Sequence, residues 1–345
     1  MNSAPPDLSV IIPVYNRGDL IRYTLESVRR ASAGLSVEVI VVDDGSATPA
    51  AESIARLGYH PEKIIRQDNQ GLLFARLAGL RHATGAHVLF LDSDDIVSAE
   101  KFRLQLAAMR ATGAETSYTD HAHTTLEGDY DALSIKPRGP LKDVTGAAEF
   151  FIVVQPAPHS PIFRTDYIRH IVENAFFPPS PLYNAVAEIW FYQNAAPRPG
   201  RVVRVPGPHT IIGAHPGARL TNHWERLGVA SLAVMEAFAR GCPADTPEAR
   251  RARELLGQAA FKSWRRLSPD FSPEFQAREL SLFHRLLPDP RLSALGGRGF
   301  QLLACALGPV NAARLLKRWQ NSPYETGRTM DDAAFQRLLA ALPPP

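Results

Sequence analysis

The stretch Val88-Leu89-Phe90-Leu91-Asp92-Ser93-Asp94-Asp95 runs four apolar residues straight into three carboxylates, with no basic residue beside them. A short apolar run ended by turn-forming residues is the pattern of a buried strand that opens into a loop. Like charges this close repel, so the carboxylates are either well solvated or arranged to meet a cation.

Outward from that stretch the same pattern repeats. Strand-like runs at Leu8 to Val14, Val37 to Val42, Ile64 to Arg66 and His87 to Leu91 alternate with helical spacing at Asp19 to Ala31, Pro49 to Leu57, Leu72 to Ala83 and Ala99 to Arg110. This βαβ series predicts a parallel sheet covered by helices on both faces. In such sheets ligands bind beyond the carboxyl ends of the strands. The residues just past those ends are Pro13 to Arg17, Asp43-Asp44-Gly45-Ser46, Gln67 to Gly71, and Asp92-Ser93-Asp94-Asp95. Each group has a bland reading, because Asp, Asn, Ser and Gly are ordinary turn and helix-cap residues. Their delivery to one edge is what favours a ligand site.

Composition excludes several classes. The chain has 345 residues, 45% of them hydrophobic, and a formal charge of +3. It can bury a sizeable core, and it lacks the basic, aromatic-interleaved runs of a nucleic-acid binder. Cys242 and Cys305 fit neither a disulfide framework nor a metal-ligand pattern, which suits the cytoplasm. The run Leu8 to Val14 is too short for a membrane span or leader. There is no Gly-x-Gly-x-x-Gly after the first strand, no P-loop, no Gly-x-Ser-x-Gly and no His-Glu-x-x-His, which argues against dinucleotide, P-loop, hydrolase and zinc chemistry.

Taken in order, Ser9 to Asn16, Val41 to Ser46, Gly71 to Arg76 leading to Ala83-Thr84-Gly85, and Phe90 to Asp95 resemble the family 2 glycosyltransferases with the GT-A fold. The resemblance implies an α/β fold with a mostly parallel sheet flanked by helices and a C-terminal helical region. It implies that Asp92 and Asp94 hold Mn²⁺ or Mg²⁺ on the diphosphate of a nucleotide sugar, a task that suits hard oxygen ligands. It also implies that Asp43 reads the nucleotide base, that Asp44 lies near the ribose, and that Pro13, Tyr15, Asn16 and Ser93 line the same donor pocket. Arg76 matches a family arginine near the diphosphate and base, although as a bare residue it also admits the lesser reading of a helix-surface charge. His215, in Gly213 to Gly217, matches a family histidine near the metal; Leu77 stands where the family commonly has Asn.

The acceptor side is thinner. Thr116 to Thr119 reads as a strand, Gly146 to Val154 as a helix, and the prolines between Pro137 and Pro216 mark short elements and loops. Ala187-Glu188-Ile189-Trp190 sits where the family has a Glu-Asp pair, so Glu188 is the expected general base despite the missing first acid, with Asp166 as the substitute. Segments Asn222 to Arg240, Thr246 to Leu267, Pro273 to Leu287, Gly299 to Gln320 and Met330 to Leu342 read as helices. The expected division is a transferase domain over 1–220, split into a donor half 1–110 and an acceptor half 111–220, then helices over 221–345.

The expected activity is inverting, metal-dependent transfer of a sugar, from a UDP-sugar by default, to a hydroxyl acceptor in glycan or polysaccharide assembly. Two rivals are a catalytically decayed nucleotide-sugar binding or scaffolding protein and a nucleotidyltransferase; the second would carry a Gly-rich basic loop after the first strand, unlike Pro13 to Arg17. Expected partners are the donor and a glycan or other hydroxyl acceptor, a second copy through the C-terminal helices, and no nucleic acid. The apolar, cationic stretch 299–319 ends in Arg314, Lys317, Arg318 and Trp319. It suits the inner face of a membrane, or simply a helix with a cationic C-terminus packed on its own domain.

Overall fold

All seven residues of β1 (Leu8–Val14) are buried, and they face two different layers. The chain is seen here as a computed structural model that describes residues 4–216, 223–317 and 329–344. Val10, Ile12 and Val14 pack with Leu25, Val28, Phe102 and Leu106 on one face of the sheet. Ile11 points the other way, toward Leu73, Leu77 and Trp190. Full burial of such a side chain is worth about 1.5–3 kcal/mol, which makes this two-sided strand the spine of the fold.

In chain order β1 is followed by α1 (Ile21–Ala31), β2 (Val37–Asp43), α2 (Ala50–Arg56), β3 (Lys63–Arg66), α3 (Leu72–His82), β4 (His87–Phe90), β5 (Ile96–Val97) and α4 (Lys101–Thr112). Then come β6 (Thr116–Thr125), β7 (Lys136–Pro137), α5 (Ala147–Glu149) extended by a π turn over Phe150–Val154, β8 (Ile162–Arg164), α6 (Thr165–Glu173), a 3₁₀ turn over Pro181–Val186, α7 (Ala187–Ala195) and β9 (Val202–Ala214). The helical region comprises α8 (Trp224–Gly241), α9 (Pro247–Arg266), α10 (Pro273–Leu286), α11 (Leu292–Leu295), α12 (Arg298–Leu307), α13 (Pro309–Lys317) and α14 (Asp332–Ala340). The nine-stranded sheet has the order β3-β2-β1-β4-β8-β6-β9-β5, with β7 beside β6.

The first four expected strands and helices stand within two residues of their expected ends. β1 pairs in parallel with β2 and β4, and β2 with β3. The sheet as a whole is mixed, because β8 enters antiparallel between β4 and β6.

Two expectations are corrected. The loop-rich reading of the proline-bearing stretch hid β9, which runs parallel to β6 along most of its length. Pro206, Gly207 and Pro208 fall in the gap of that register, between Val205 and Thr210, where a missing N–H costs no ladder bond. The single helix expected over Gly299 to Gln320 is two, bent by 119° at Gly308. Gly308 has φ 76°, and Pro309 cannot donate back into the preceding turn.

One apolar cluster runs without a break from Ile11 and Phe90, through Trp190 and Phe191, to Phe261, Phe335 and Leu342. The helical region therefore shares its core with the face of the sheet that carries α3 and α7. The expected boundary at residue 220, the start at Asn222, Gly217, Arg318 and Trp319 lie outside the described residues. Among the described residues no single helix is long and apolar enough to cross a membrane.

Candidate active site

The parallel register sets Val14 opposite Asp43 and Ile11 opposite Phe90. The loops that follow β1, β2 and β4 therefore open at one edge. β6 and β4 both run antiparallel to β8, and β9 runs parallel to β6. Its carboxyl end thus brings His215 to that same edge.

The first two loops are tied together by Asn16. It adopts a left-handed φ of 53°, its N–H donates to Ser46 Oγ at 3.0 Å, and its Oδ1 accepts from the Ala47 N–H at 2.9 Å. Pro13 is buried beneath the loop, and Tyr15 stands 50% exposed at the mouth.

Asp43, expected to read a base, has its oxygens occupied. They accept from the N–H groups of Ser46 and Ala50, both at 2.9 Å, and from Arg66 Nη1 at 2.6 Å. Burial works to raise its pKa, yet those hydrogen bonds and the Arg66 charge outweigh it and hold the carboxyl below its usual range. Asp43 thus braces the loop and the start of α2. Asp44 similarly accepts from Gln67 Nε2 at 2.7 Å and from the N–H groups of Gln70 and Gly71 at 3.0 and 2.8 Å, binding the β2 loop to the start of α3.

Arg76 is the hub of the site. It is 1% exposed, its Nη2 donates to Asp92 Oδ1 at 2.6 Å, and its Nη1 lies 3.6 Å from Glu188 Oε2. The surface-charge reading of this residue is therefore wrong. Burial works to lower its pKa, but the charges of Asp92 and Glu188 more than compensate, and the guanidinium stays charged. Nε and Nη1 are buried and have no hydrogen-bond acceptor in the chain. Glu188 lies in the first turn of α7 with its side chain 29% exposed. Burial pushes its carboxyl above the usual range, against the pull of Arg76, a direction that suits a group that must accept a proton.

Asp94 Oδ2 lies 2.9 Å from His215 Nε2, and Arg17 Nε is 4.0 Å from the same oxygen. Ser93 is buried between the two flanking acids. Asp95 turns inward instead. Its Oδ1 accepts from the Gly213 N–H at 2.8 Å, and its Oδ2 lies 3.1 Å from His159 Nδ1. Burial, with Lys101 and His121 nearby, keeps His159 well below its usual pKa and therefore neutral. Among the described residues no three His, Cys, Asp or Glu side chains are gathered into a complete metal cage. A carboxylate and an imidazole side by side fit a divalent cation whose remaining ligands are phosphate oxygens and water, while Asp92, two residues earlier in the same loop, is engaged by Arg76.

Asp166 is not in the site. It is bonded to Arg164 Nε at 2.6 Å, is 70% exposed, and lines a groove with Pro5, Gly85 and His170 at the opposite, amino-terminal edge of the sheet. Two residues of the site had no expectation attached. Asn184 Oδ1 accepts from the Leu73 N–H at 3.1 Å and its Nδ2 donates to the Gln70 carbonyl at 3.0 Å. It caps the helix that carries Arg76. His159 stands just before the Ser160 to Arg164 segment; no spacing in the sequence links either residue to the acidic edge.

Known proteins agree with this architecture. Residues 9–170 match the model of Glycosyl transferase family 2. The succinoglycan biosynthesis protein ExoO of Rhizobium meliloti is 34% identical over 124 residues, 36% of this chain and 35% of that protein. Matches to curated relatives span from 18 to 50% of their lengths. Staphylococcus aureus TarS 1-349, solved in complex with UDP-GlcNAc, superposes with a TM-score of 0.65 over 94% of this chain and 93% of its own, at 18% identity. The mannosyltransferase PcManGT from Pyrobaculum calidifontis, solved with GDP-Man and Mn²⁺, gives 0.53 over 98% and 88%, also at 18% identity. These likenesses establish the shared fold, and the family match places the segment 9–170, just under half of the chain, among the family 2 glycosyltransferases.

Proposed function

We propose that the chain is an inverting, metal-dependent transferase that moves a sugar from a nucleotide-diphosphate sugar, UDP-linked by default, to a hydroxyl acceptor in glycan or polysaccharide assembly. The observation that carries this reading is the bridge from Asp92 through Arg76 to Glu188, with Asp94 and His215 at the same edge. It sets a buried arginine and a metal-ready acidic edge beside one carboxylate of raised pKa.

In this reading Asp92, Asp94 and His215 hold Mn²⁺ or Mg²⁺, which supplies neutralising charge for the departing nucleoside diphosphate. Arg76, held by Asp92 and 3.6 Å from Glu188, contributes positive charge beside the same diphosphate. Tyr15, Asn16, Asp44 and the loop braced by Asp43 enclose the nucleoside. Glu188 takes the proton of the acceptor hydroxyl, whose oxygen bonds to the anomeric carbon as the sugar–phosphate bond breaks on the opposite side. One displacement inverts the configuration.

The competing reading is a nucleotide-sugar binding protein with a decayed acceptor side, motivated by the missing acid at 187. Ala187 is fully buried in the main apolar cluster, so a packed core residue stands where the family has its first acid. Glu188→Gln is the test. It should preserve donor and metal affinity while lowering turnover by about 10²- to 10⁴-fold, the usual worth of a positioned base. Near-normal turnover with the true acceptor rejects Glu188 as the base, whereas donor binding without turnover in the unaltered protein supports the decayed reading. A cytoplasmic setting and a homodimer through the C-terminal helices complete the proposal.

A further inference from the structure

We propose that the outer face of α12 is a peripheral docking surface for an anionic phospholipid bilayer. The argument uses no donor-site residue and stands apart from the catalytic reading. Among the described residues the large exposed hydrophobics are Tyr15, Ile64, Ile135, Val153, Leu302, Leu307 and Leu315. The first four are scattered along the chain, while the last three fall on the α12–α13 corner, with Leu302 76% exposed. An isolated exposed leucine needs no explanation, but a clustered set does.

The helix is two-faced. Phe300 and Ala304 point inward and are buried. Phe300 packs 6.0 Å from the Phe261 ring, with the Arg265 guanidinium 4.5 Å over its own ring. Arg265 also donates to the Leu295 carbonyl at 2.9 Å, which fixes the approach to the helix. The outward face carries Gly299, Leu302, Cys305 and Ala306, all exposed, with Leu307 at the end. The charged residues of the segment 291–317 are all basic. Arg291, Arg298 and Arg314 are exposed, and no Asp or Glu occurs from residue 291 to residue 317. An apolar face in a segment that carries arginines and no acids matches an interfacial helix on anionic headgroups.

A second copy of the chain is the other occupant to weigh. Two copies packed through this segment would bring like charges together with no carboxylate of residues 291–317 to relieve them, whereas an anionic headgroup layer attracts its arginines. The 119° break at Gly308 excludes one straight span, so α12 lies along the surface rather than through it.

The experiment is flotation of the whole protein with vesicles of phosphatidylcholine alone and with about 30% phosphatidylglycerol added. The expected result is binding only to the anionic vesicles, lost at high salt and in carbonate. Leu302→Asp should lower the bound fraction about tenfold or more while leaving thermal stability unchanged, because the site is open to solvent. Arg298→Glu and Arg314→Glu should each weaken binding about fivefold or more. No binding to anionic vesicles at low salt overturns the proposal, as does undiminished binding by Leu302→Asp or retention that survives carbonate. A concentration-dependent dimer in light scattering that Leu302→Asp dissolves reassigns the face to a second copy.

Discussion

Replacing Gly213 by Ala tests whether the acidic edge depends on a close approach between two backbones. Gly213 lies on β9 two residues before His215, and its N–H donates to Asp95. A Cβ at this position would sit 2.2 Å from the Asp94 carbonyl oxygen and 2.7 Å from Leu126 Cδ1. Carbon–oxygen contacts ordinarily lie at about 3.3–3.6 Å. Leu126 has rotamers to try, but the carbonyl is backbone, so β9 and the Asp94 loop must part by about 1 Å. Overpacking of this kind costs about 1–3 kcal/mol. With an unfolding entropy of about 2.1 cal/mol/K per residue, the melting temperature of a 345-residue chain should fall by about 1–4 °C. Function should suffer more, because Asp94 rides on the displaced backbone and a misplacement of about 1 Å costs on the order of 10²-fold in rate. Calorimetry and metal-dependent turnover measure the two effects separately, with donor titration alongside. Gly299→Ala on α12, where an added Cβ meets nothing within 4 Å, serves as the control and should hold or raise the melting temperature. An unchanged melting point and unchanged turnover in Gly213→Ala would refute the reasoning.

Other substitutions address the remaining parts. Asp94→Asn should stay folded but lose the thermal stabilisation that donor plus Mn²⁺ confers, about 2.7 kcal/mol at a hundred times the dissociation constant; full stabilisation in the variant would remove the metal assignment. Asn184→Ala should cost about 1 kcal/mol, the usual worth of a helix cap, and weaken donor binding through Arg76, so unchanged denaturation and donor titrations would count against its role. Burial pushes the Glu279 carboxyl from 4.5 up to about 8. The folded protein therefore holds a proton that the unfolded chain releases, and stability falls as pH rises from about 5 to 8. Glu279→Gln should flatten that slope, gaining on the order of 3 kcal/mol relative to the natural chain by pH 8; parallel denaturation curves at both pH values would contradict it.

The strand-end residues were legible because their context was local. An apolar run buried on both faces, followed by Asp, Asn or Gly, announces both the strand and the edge where its loop opens, and β1, β2 and β4 follow that rule. Asp43 shows the limit of the same rule, since the ordinary capping role of an aspartate is the one its contacts fulfil. β9 was hidden because Pro206, Gly207 and Pro208 carry a turn signature, and only the register gap opposite Thr119 to His121 makes it compatible with a strand. Glu188 was reached through resemblance alone, and its pairing with Arg76 bridges 112 positions in sequence. Asn184 and His159 act through tertiary contacts that no periodicity encodes.

The shared apolar cluster bears on how such proteins diversify. Trp190 and Phe191 of α7, next to Glu188, belong to the same cluster as Val229, Phe238 and Phe261 of the C-terminal helices. A recombination event that imported a foreign helical region would present new side chains to the back of the helix that aims the proposed base. Lineages acquiring a new acceptor by that route would therefore have to inherit or re-evolve α7 together with its partners, and a chimera joined between α7 and α8 should fail more often than one joined before β8.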